Sequence, residues 1–388
     1  MEKIVLELKE RYTKIFHELK ELNHYLFENP ELGLKEFKAR DKHCELLSKY
    51  GFFVEKEYCG VETAFLANYV GEKPGPRIAY LAEYDALPEI GHGCGHNILG
   101  VSSSAAGILL REYVNIYGGE VLVIGTPAEE TDGAKVAMAK AGAFDNVDIA
   151  ITVHPTSGDY HLRSTSSQAM EALEFTFKGK TSHAAGSPHL GINALDGVIT
   201  LFNTINALRQ QILTTDRVHG IITKGGEAAN IIPDLAVANF YVRSRNKKEL
   251  DILLEKVLNC AKAAALSSGT KLEIRNYETS FLDLITNKKL MKIYEESLKE
   301  IGIKEIKDSE ESGSTDAGDV SHICPTIHPY MPLYKNVISH SKKFAQSTIE
   351  DGAYKGMEEA VLAMVLTGIK LLKDQRLIDS VKLEFEKK

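Results

Sequence analysis

Asp85, His92, Cys94 and His96 fall within a dozen positions, in the run Tyr80-Leu-Ala-Glu-Tyr-Asp85-Ala-Leu-Pro-Glu-Ile-Gly-His92-Gly-Cys94-Gly-His96. Cys94 and His96 are separated only by Gly95, and in extended backbone such residues project to the same side. A thiolate and an imidazole so placed are two donors for zinc or a similar borderline metal. Cys-Gly-His alone does not decide the matter, because buried free cysteines are commonly inert and most loop histidines bind nothing.

Three other places carry the same chemistry. Glu129-Glu130 follows the apolar run Glu120–Pro127, and neighbouring side chains in extended backbone point opposite ways, so one carboxylate can bind a metal while the other faces substrate. The alternative is a solvated acidic pair. His154 directly follows the apolar run 147–153, and His340 lies in Ile338-Ser-His-Ser341; a capping or core histidine is the plainer reading of His154. Together Cys94, His96, Glu130, His154 and His340 offer soft, borderline and hard donors. Five ligands and a bridging water suit two metal ions about 3.5–4 Å apart. Asp85 is placed to orient a ligand imidazole through its far nitrogen, or simply to start the turn before Pro88. His92 reads as a loop residue beside the ligands.

The elements that must position these residues follow from periodicity. Residues 2–28 form an amphipathic helix, broken at Asn29-Pro-Glu-Leu-Gly33, and a second helix covers 34–50. Segments 77–82, 120–127 and 147–153 are short apolar runs, read as buried parallel strands with helices at 98–117 and 133–141 between them. Three of these clusters, all but His340, sit just past the end of one of these strands, where open α/β sheets bind ligands. From about Ser164 the pattern becomes strand, helix, strand, strand, helix, strand, which fits a four-stranded antiparallel α+β module of ferredoxin-like kind. The expected fold is an α/β catalytic domain with a mainly parallel sheet, residues 1–164 and 283–388, interrupted by the ferredoxin-like module at 165–282. The module carries His183 in a small-residue loop, Asn230 in a glycine-rich turn, and Arg243 at the end of an alternating strand. A planar guanidinium suits a substrate carboxylate.

Composition bounds the rest. The chain has 388 residues, 44% hydrophobic and 26% charged, ordinary for a globular protein of about two domains. A net charge of −8 argues against nucleic acid as a partner. Five scattered cysteines fit a reducing compartment rather than a disulfide framework. The amphipathic start is no signal peptide, and the apolar stretch 360–372 is too short for a membrane span. A cytoplasmic protein with no membrane partner is expected.

The ordered set Asp85, Cys94-Gly-His96, Glu129-Glu130, His154, Gly-Lys-x-x-His183, Gly-Gly-x-x-x-Asn230-Ile-Ile-Pro-Asp, Arg243 and His340 resembles the aminoacylase and carboxypeptidase family of metallopeptidases. Within it the chain resembles the amidohydrolase branch that includes indole-acetyl-amino-acid hydrolases. Gly-His-Gly-Cys-Gly-His-Asn97, Gly313-Ser-Thr-Asp316 and Ile327-His-Pro-Tyr330 resemble more closely the sub-branch with the B subunit of aminobenzoyl-glutamate hydrolase and the dipeptidases that cleave β-alanyl-lysine-type peptides. The resemblance spans nearly the whole chain. It implies a catalytic domain holding two divalent metal ions (zinc, manganese, cobalt or nickel), and a lid domain through which homo-oligomers form. It further implies Cys94, His96, Glu130, His154 and His340 as ligands, Glu129 as general base, His183 as oxyanion stabiliser, acting in its own chain's site or a partner's, and Asn230 and Arg243 as substrate-binding residues. Many relatives of the wider branch have Asp and a further His after the ligand His; here Asn97-Ile-Leu follows, which points away from auxin-conjugate substrates.

The expectation is a metal-dependent hydrolase cleaving an amide bond in a small peptide or N-acyl amino acid. Two other classes remain: a metal-free cysteine hydrolase using Cys94, and a non-catalytic metal-binding subunit of a heteromeric enzyme. Chelator inactivation and metal rescue separate the first, and Cys94→Ser tests the ligand assignment. A hydroxyl stays protonated where a metal-bound thiol ionises, so the variant is expected to bind metal more weakly. Unchanged metal content and turnover would remove Cys94 from the ligand set.

Overall fold

The structure, a computed structural model, describes residues 2–309 and 313–388. It divides into two compact units, the first comprising 2–166, 284–309 and 316–388, the second 167–283 with 313–315.

The first unit is built on a six-stranded sheet, with strands β1 (Phe53–Lys56), β2 (Phe65–Val70), β3 (Arg77–Ala82), β4 (Glu120–Gly125) and β5 (Ile149–Ile151) from its first half. A smaller sheet takes β6 (His154–Thr156) and β7 (His161–Arg163). The second unit contributes β8 (Ala169–Lys178), β9 (Arg217–Lys224), β10 (Leu235–Ser244) and β11 (Lys271–Asn276), and the chain then adds β12 (Ile306–Asp308), β13 (Thr326–Ile327) and β14 (Tyr330–Pro332) to the first unit. The large sheet runs β1-β2-β4-β3-β5-β13. Its β4, β3, β5 and β13 are parallel, while β2 and β1 join antiparallel at one edge.

The apolar runs of β3 and β4 are continuous because both faces of this sheet are covered. Ile78 and Tyr80 of β3 and Val121 and Val123 of β4 join the core formed with helices Glu2–Glu28, His96–Tyr117 and Asp351–Lys373. Ala79, Leu81, Leu122 and Ile124 face the opposite layer, with Met138, Phe144 and Val320. Helix His96–Tyr117 lies very close to the strands. A Cβ at Gly107 would meet Val123 at 2.3 Å, and one at Gly100 would meet the Glu83 carbonyl at 2.5 Å. Residues 360–372 belong to the buried helix Asp351–Lys373. Among the described residues no helix is long and apolar enough to cross a membrane.

The second unit has strand order β11-β8-β10-β9, every pair antiparallel. β10 alternates buried and half-buried residues along its length, and Ala236, Ala238, Phe240 and Val242 pack against helices Ala194–Leu208 and Lys247–Ser268. Asn193 and Asn246 cap those helices, accepting from the Leu195 and Glu249 amides. The unit has its own core, in the ferredoxin-like arrangement.

Two local expectations fail. Cys94-Gly95-His96 is not extended: Gly95 has φ +80° and His96 is the first helical residue. Glu129 and Glu130 lie in a turn after Ala128, which has φ +59°. The small sheet β12-β7-β14-β6 carries no periodic signal, because its strands are three residues long.

The Ser164 and Thr286 hydroxyls lie 2.5 Å apart, so the chain leaves and re-enters the first unit at neighbouring points. Deleting residues 165–282 with a short linker is therefore expected to leave a cooperatively folding first unit. Loss of cooperative thermal unfolding in that product would show that the unit does not fold by itself.

Candidate active site

The centre of the site is Asp85, buried just beyond β3. Its Oδ1 lies 2.7 Å from His96 Nδ1, and its Oδ2 accepts the Glu130 backbone N–H at 2.9 Å. One carboxylate thus orients two of the predicted ligands. It fixes the His96 tautomer, leaving Nε2 free. Burial works against the Asp85 charge, but His96 outweighs it and holds the acid below its usual range. Burial likewise opposes a charged His96, and Asp85 raises the imidazole well above its usual value.

His154, at the start of β6, is arranged in the same way. Its Nδ1–H donates to the Pro155 carbonyl at 2.7 Å, and its Nε2 lies 3.5 Å from Cys94 Sγ. Burial, with His328 and His96 nearby, lowers its pKa to about 3, so the ring is neutral and its Nε2 can donate a lone pair. Gly95 makes the approach possible, since a Cβ there would meet Pro155 at 2.6 Å in a left-handed backbone. His340 is tied to the same loop by its N–H, which donates to the Gly93 carbonyl at 2.8 Å, and its Nε2 is 3.5 Å from Glu130 Oε1.

The ligand atoms of Cys94, His96 and His154 all lie within 4.8 Å of one another, as do those of Cys94, Glu130 and His340, and those of His96, Glu129 and Glu130. His96 Nε2 and Glu130 Oε1 are buried without a hydrogen-bond partner. Such orphaned atoms are costly unless something else satisfies them. The donor set, with one thiol, three imidazoles and adjacent carboxylates, fits divalent cations of the zinc to manganese range.

Other residues were not singled out from sequence for a role here. Glu36 accepts the Ala128 N–H at 2.8 Å and so steadies the left-handed turn that presents Glu129 and Glu130. Glu83, two residues before Asp85, puts Oε2 at 3.3 Å from His96 Nε2. Its Oε1 is 2.8 Å from Lys135 Nζ, which is also 2.6 Å from Asp316 Oδ1. All three side chains are fully buried. Burial opposes the Glu83 charge, but Lys135 and then His96 lower its pKa to about 2. The i, i+2 spacing of Glu83 and Asp85 was a usable signal; Lys135 looks like any surface lysine in sequence. Burial, then Glu83 and Asp316, holds the Glu129 carboxyl well above its usual range.

The second unit brings His183 and Asn230 side by side, with the Ala184 N–H donating to the Asn230 carbonyl at 3.0 Å. The Ala185 and Gly186 amides donate to His183 Nδ1 at 3.2 and 3.0 Å, which places the proton on Nε2. Arg243, on β10, donates to Ser314 Oγ at 3.1 Å and lies over the Tyr241 ring.

Comparison with known proteins identifies the class. Residues 168–268 match the family description "peptidase dimerisation domain". The chain is 33% identical to the Xaa-Arg dipeptidase of Mus musculus over 97% of its own length and 91% of that protein's. It is 32% identical to the B subunit of p-aminobenzoyl-glutamate hydrolase of Escherichia coli over 76% of its own length and 64% of that protein's. Among solved structures, a putative aminohydrolase from methicillin-resistant Staphylococcus aureus superposes with TM-score 0.78 at 21% identity, over 94% of this chain and 99% of that one. A Bacillus subtilis protein described as a dinuclear metal binding peptidase superposes with TM-score 0.67 at 19% identity, over 91% and 98% of the two chains. The protein is a hydrolase of peptide or related amide bonds. It belongs to the M20 peptidase family.

The buried charge triad gives a direct test. Lys135→Met strands Glu83 and Asp316 without their cation, and loss of one partner of a buried pair costs about 3–5 kcal/mol. Denaturant unfolding is expected to show that loss, while the exposed Lys140→Met stays within about 0.5 kcal/mol of wild type. Equal stabilities for the two variants would overturn the triad's structural role.

Proposed function

We propose that the protein is a two-metal hydrolase of dipeptides or N-acyl amino acids, with Cys94 shared between a site completed by His96 and His154 and a site completed by Glu130 and His340. What supports this most directly is that the ligand atoms of both three-donor sets cluster within 4.8 Å and have Cys94 in common. Divalent metals held by these residues would lower the pKa of a bound water and polarise a carbonyl oxygen.

The chain's own residues have distinct tasks. Asp85 keeps His96 and the Glu130 backbone in register. Glu129, raised by burial among carboxylates, is the general base that takes the water's proton and returns it to the leaving amine. His183, with its proton on Nε2, is a donor for the developing oxyanion. Asn230 and Arg243 bind substrate, and the cationic fork of Arg243 suits a terminal carboxylate. The dimerisation domain is the expected homo-oligomer contact. The Xaa-Arg dipeptidase likeness makes dipeptides with a basic C-terminal residue the first class to assay.

The two glutamates test the assignment. Glu129→Gln is expected to retain metal and lose turnover about 10²–10⁴-fold. Glu130→Gln is expected to bind metal more weakly and to recover in part when metal is added. Metal content and kinetics on a dipeptide and N-acyl-amino-acid panel read both. Near wild-type hydrolysis by metal-loaded Glu129→Gln sinks the proposed water activation, and reversed phenotypes exchange the two roles.

A further inference from the structure

His154 and Tyr330 stand in register on the parallel strands β6 and β14. Paired residues project to the same face of a sheet, so Tyr330 shares the face on which His154 presents its ligand nitrogen. The tyrosine ring packs edge-on against His154, with centroids 5.7 Å apart at 64°, and against His328, 5.2 Å apart at 70°. His328 is buried and stacks on His154 at 5.4 Å. Each of the three rings therefore touches the other two, and together they leave the phenol little freedom.

That leaves the hydroxyl without an obvious structural task. Tyr80 and Tyr84 each donate to a backbone carbonyl, of Met364 and Thr63. The Tyr330 hydroxyl makes no hydrogen bond to any described residue, yet its oxygen is not among the sealed, orphaned ones, and the residue is half-buried. A phenol is an O–H donor at neutral pH, its ordinary pKa being about 10. The oxygen is thus a free O–H donor on a ring packed against His154.

We propose that Tyr330 is a catalytic residue, whose O–H donates a hydrogen bond to the scissile carbonyl oxygen as that oxygen becomes an oxyanion. This rests on the hydrolase reading above. The water oxygen bonds to the carbonyl carbon and the C=O π pair moves onto the carbonyl oxygen, while Glu129 takes the water's proton. Collapse of the tetrahedral species re-forms C=O and breaks the C–N bond, and the amine leaves with the proton from Glu129. Tyr330 keeps its own proton throughout and supplies only a bond that tightens as charge develops. Unlike His183, it comes from the unit that holds the ligand set.

Tyr330→Phe keeps the three-ring packing and deletes the donor. Removal of one oxyanion donor lowers kcat by about 10²–10³-fold, and that loss is expected here with KM within about threefold of wild type. Metal content and the thermal midpoint are expected to be unchanged. A phosphinic pseudodipeptide built on the best substrate, which carries a tetrahedral anion, is expected to bind the variant about 10–100-fold more weakly by calorimetry. Wild-type kcat and phosphinate affinity in Tyr330→Phe overturn the proposal. So does lost metal or lost stability, because the tyrosine then serves to position His154 or the fold. A wild-type protein inactive on every peptide and acyl-amino-acid substrate instead overturns the hydrolase reading, and the role of Tyr330 falls with it.

Discussion

A single buried carboxylate, Asp85, bridges a side chain and a backbone amide that come from different strand-end loops. Its two oxygens are committed, one to His96 and one to the Glu130 amide. A charge taken out of water is tolerated only when paired and hydrogen-bonded, so the geometry around Asp85 is narrowly constrained. Because it holds the imidazole through Nδ1, His96 Nε2 faces Glu83 at 3.3 Å and the cluster of Cys94, Glu129 and Glu130. The left-handed turn at Ala128 costs about 1–2 kcal/mol in backbone strain. It persists because Glu36 accepts its N–H and Asp85 accepts the next but one.

The electrostatic balance follows from that arrangement. Glu83, Asp85, Glu129, Glu130 and Asp316 lie close together, and the buried ammonium of Lys135 directly pairs two of them. Without further cations, burial keeps the Cys94 thiol protonated and raises Glu129. A site so rich in carboxylates would gain stability from divalent cations, which would also ionise the thiol. Metal binding there would be linked to the charge state of the pocket.

The fold separates two demands. The first unit places its chemistry beyond the C-terminal ends of β3, β4 and β5, and packs helix His96–Tyr117 so closely that Gly100 and Gly107 admit no side chain. The second unit keeps a separate ferredoxin-like core and presents His183 and Asn230 on adjoining segments. His96 and His154 start regular elements, Cys94, Glu130 and His340 lie in turns and bends between them, and Arg243 stands on β10.

The sequence by itself determined the parallel strands, because β3 and β4 bury both faces and so read as unbroken apolar runs. It determined the antiparallel module, because β10 alternates. It also singled out the donor types of Cys94, His96, Glu130, His154 and His340, and the structure brings their ligand atoms together. Tertiary structure alone decided how they meet. The left-handed Gly95 and Ala128 replace the extended backbone that spacing suggested, and no local pattern encodes a φ that depends on packing against Pro155 or on a carboxylate from Glu36. Lys135, Asp316, His328 and Tyr330 acquired their places in the same way. Their partners lie far away in the chain or in three-residue strands, so only long-range packing makes a lysine a buried counter-charge and sets a tyrosine beside His154.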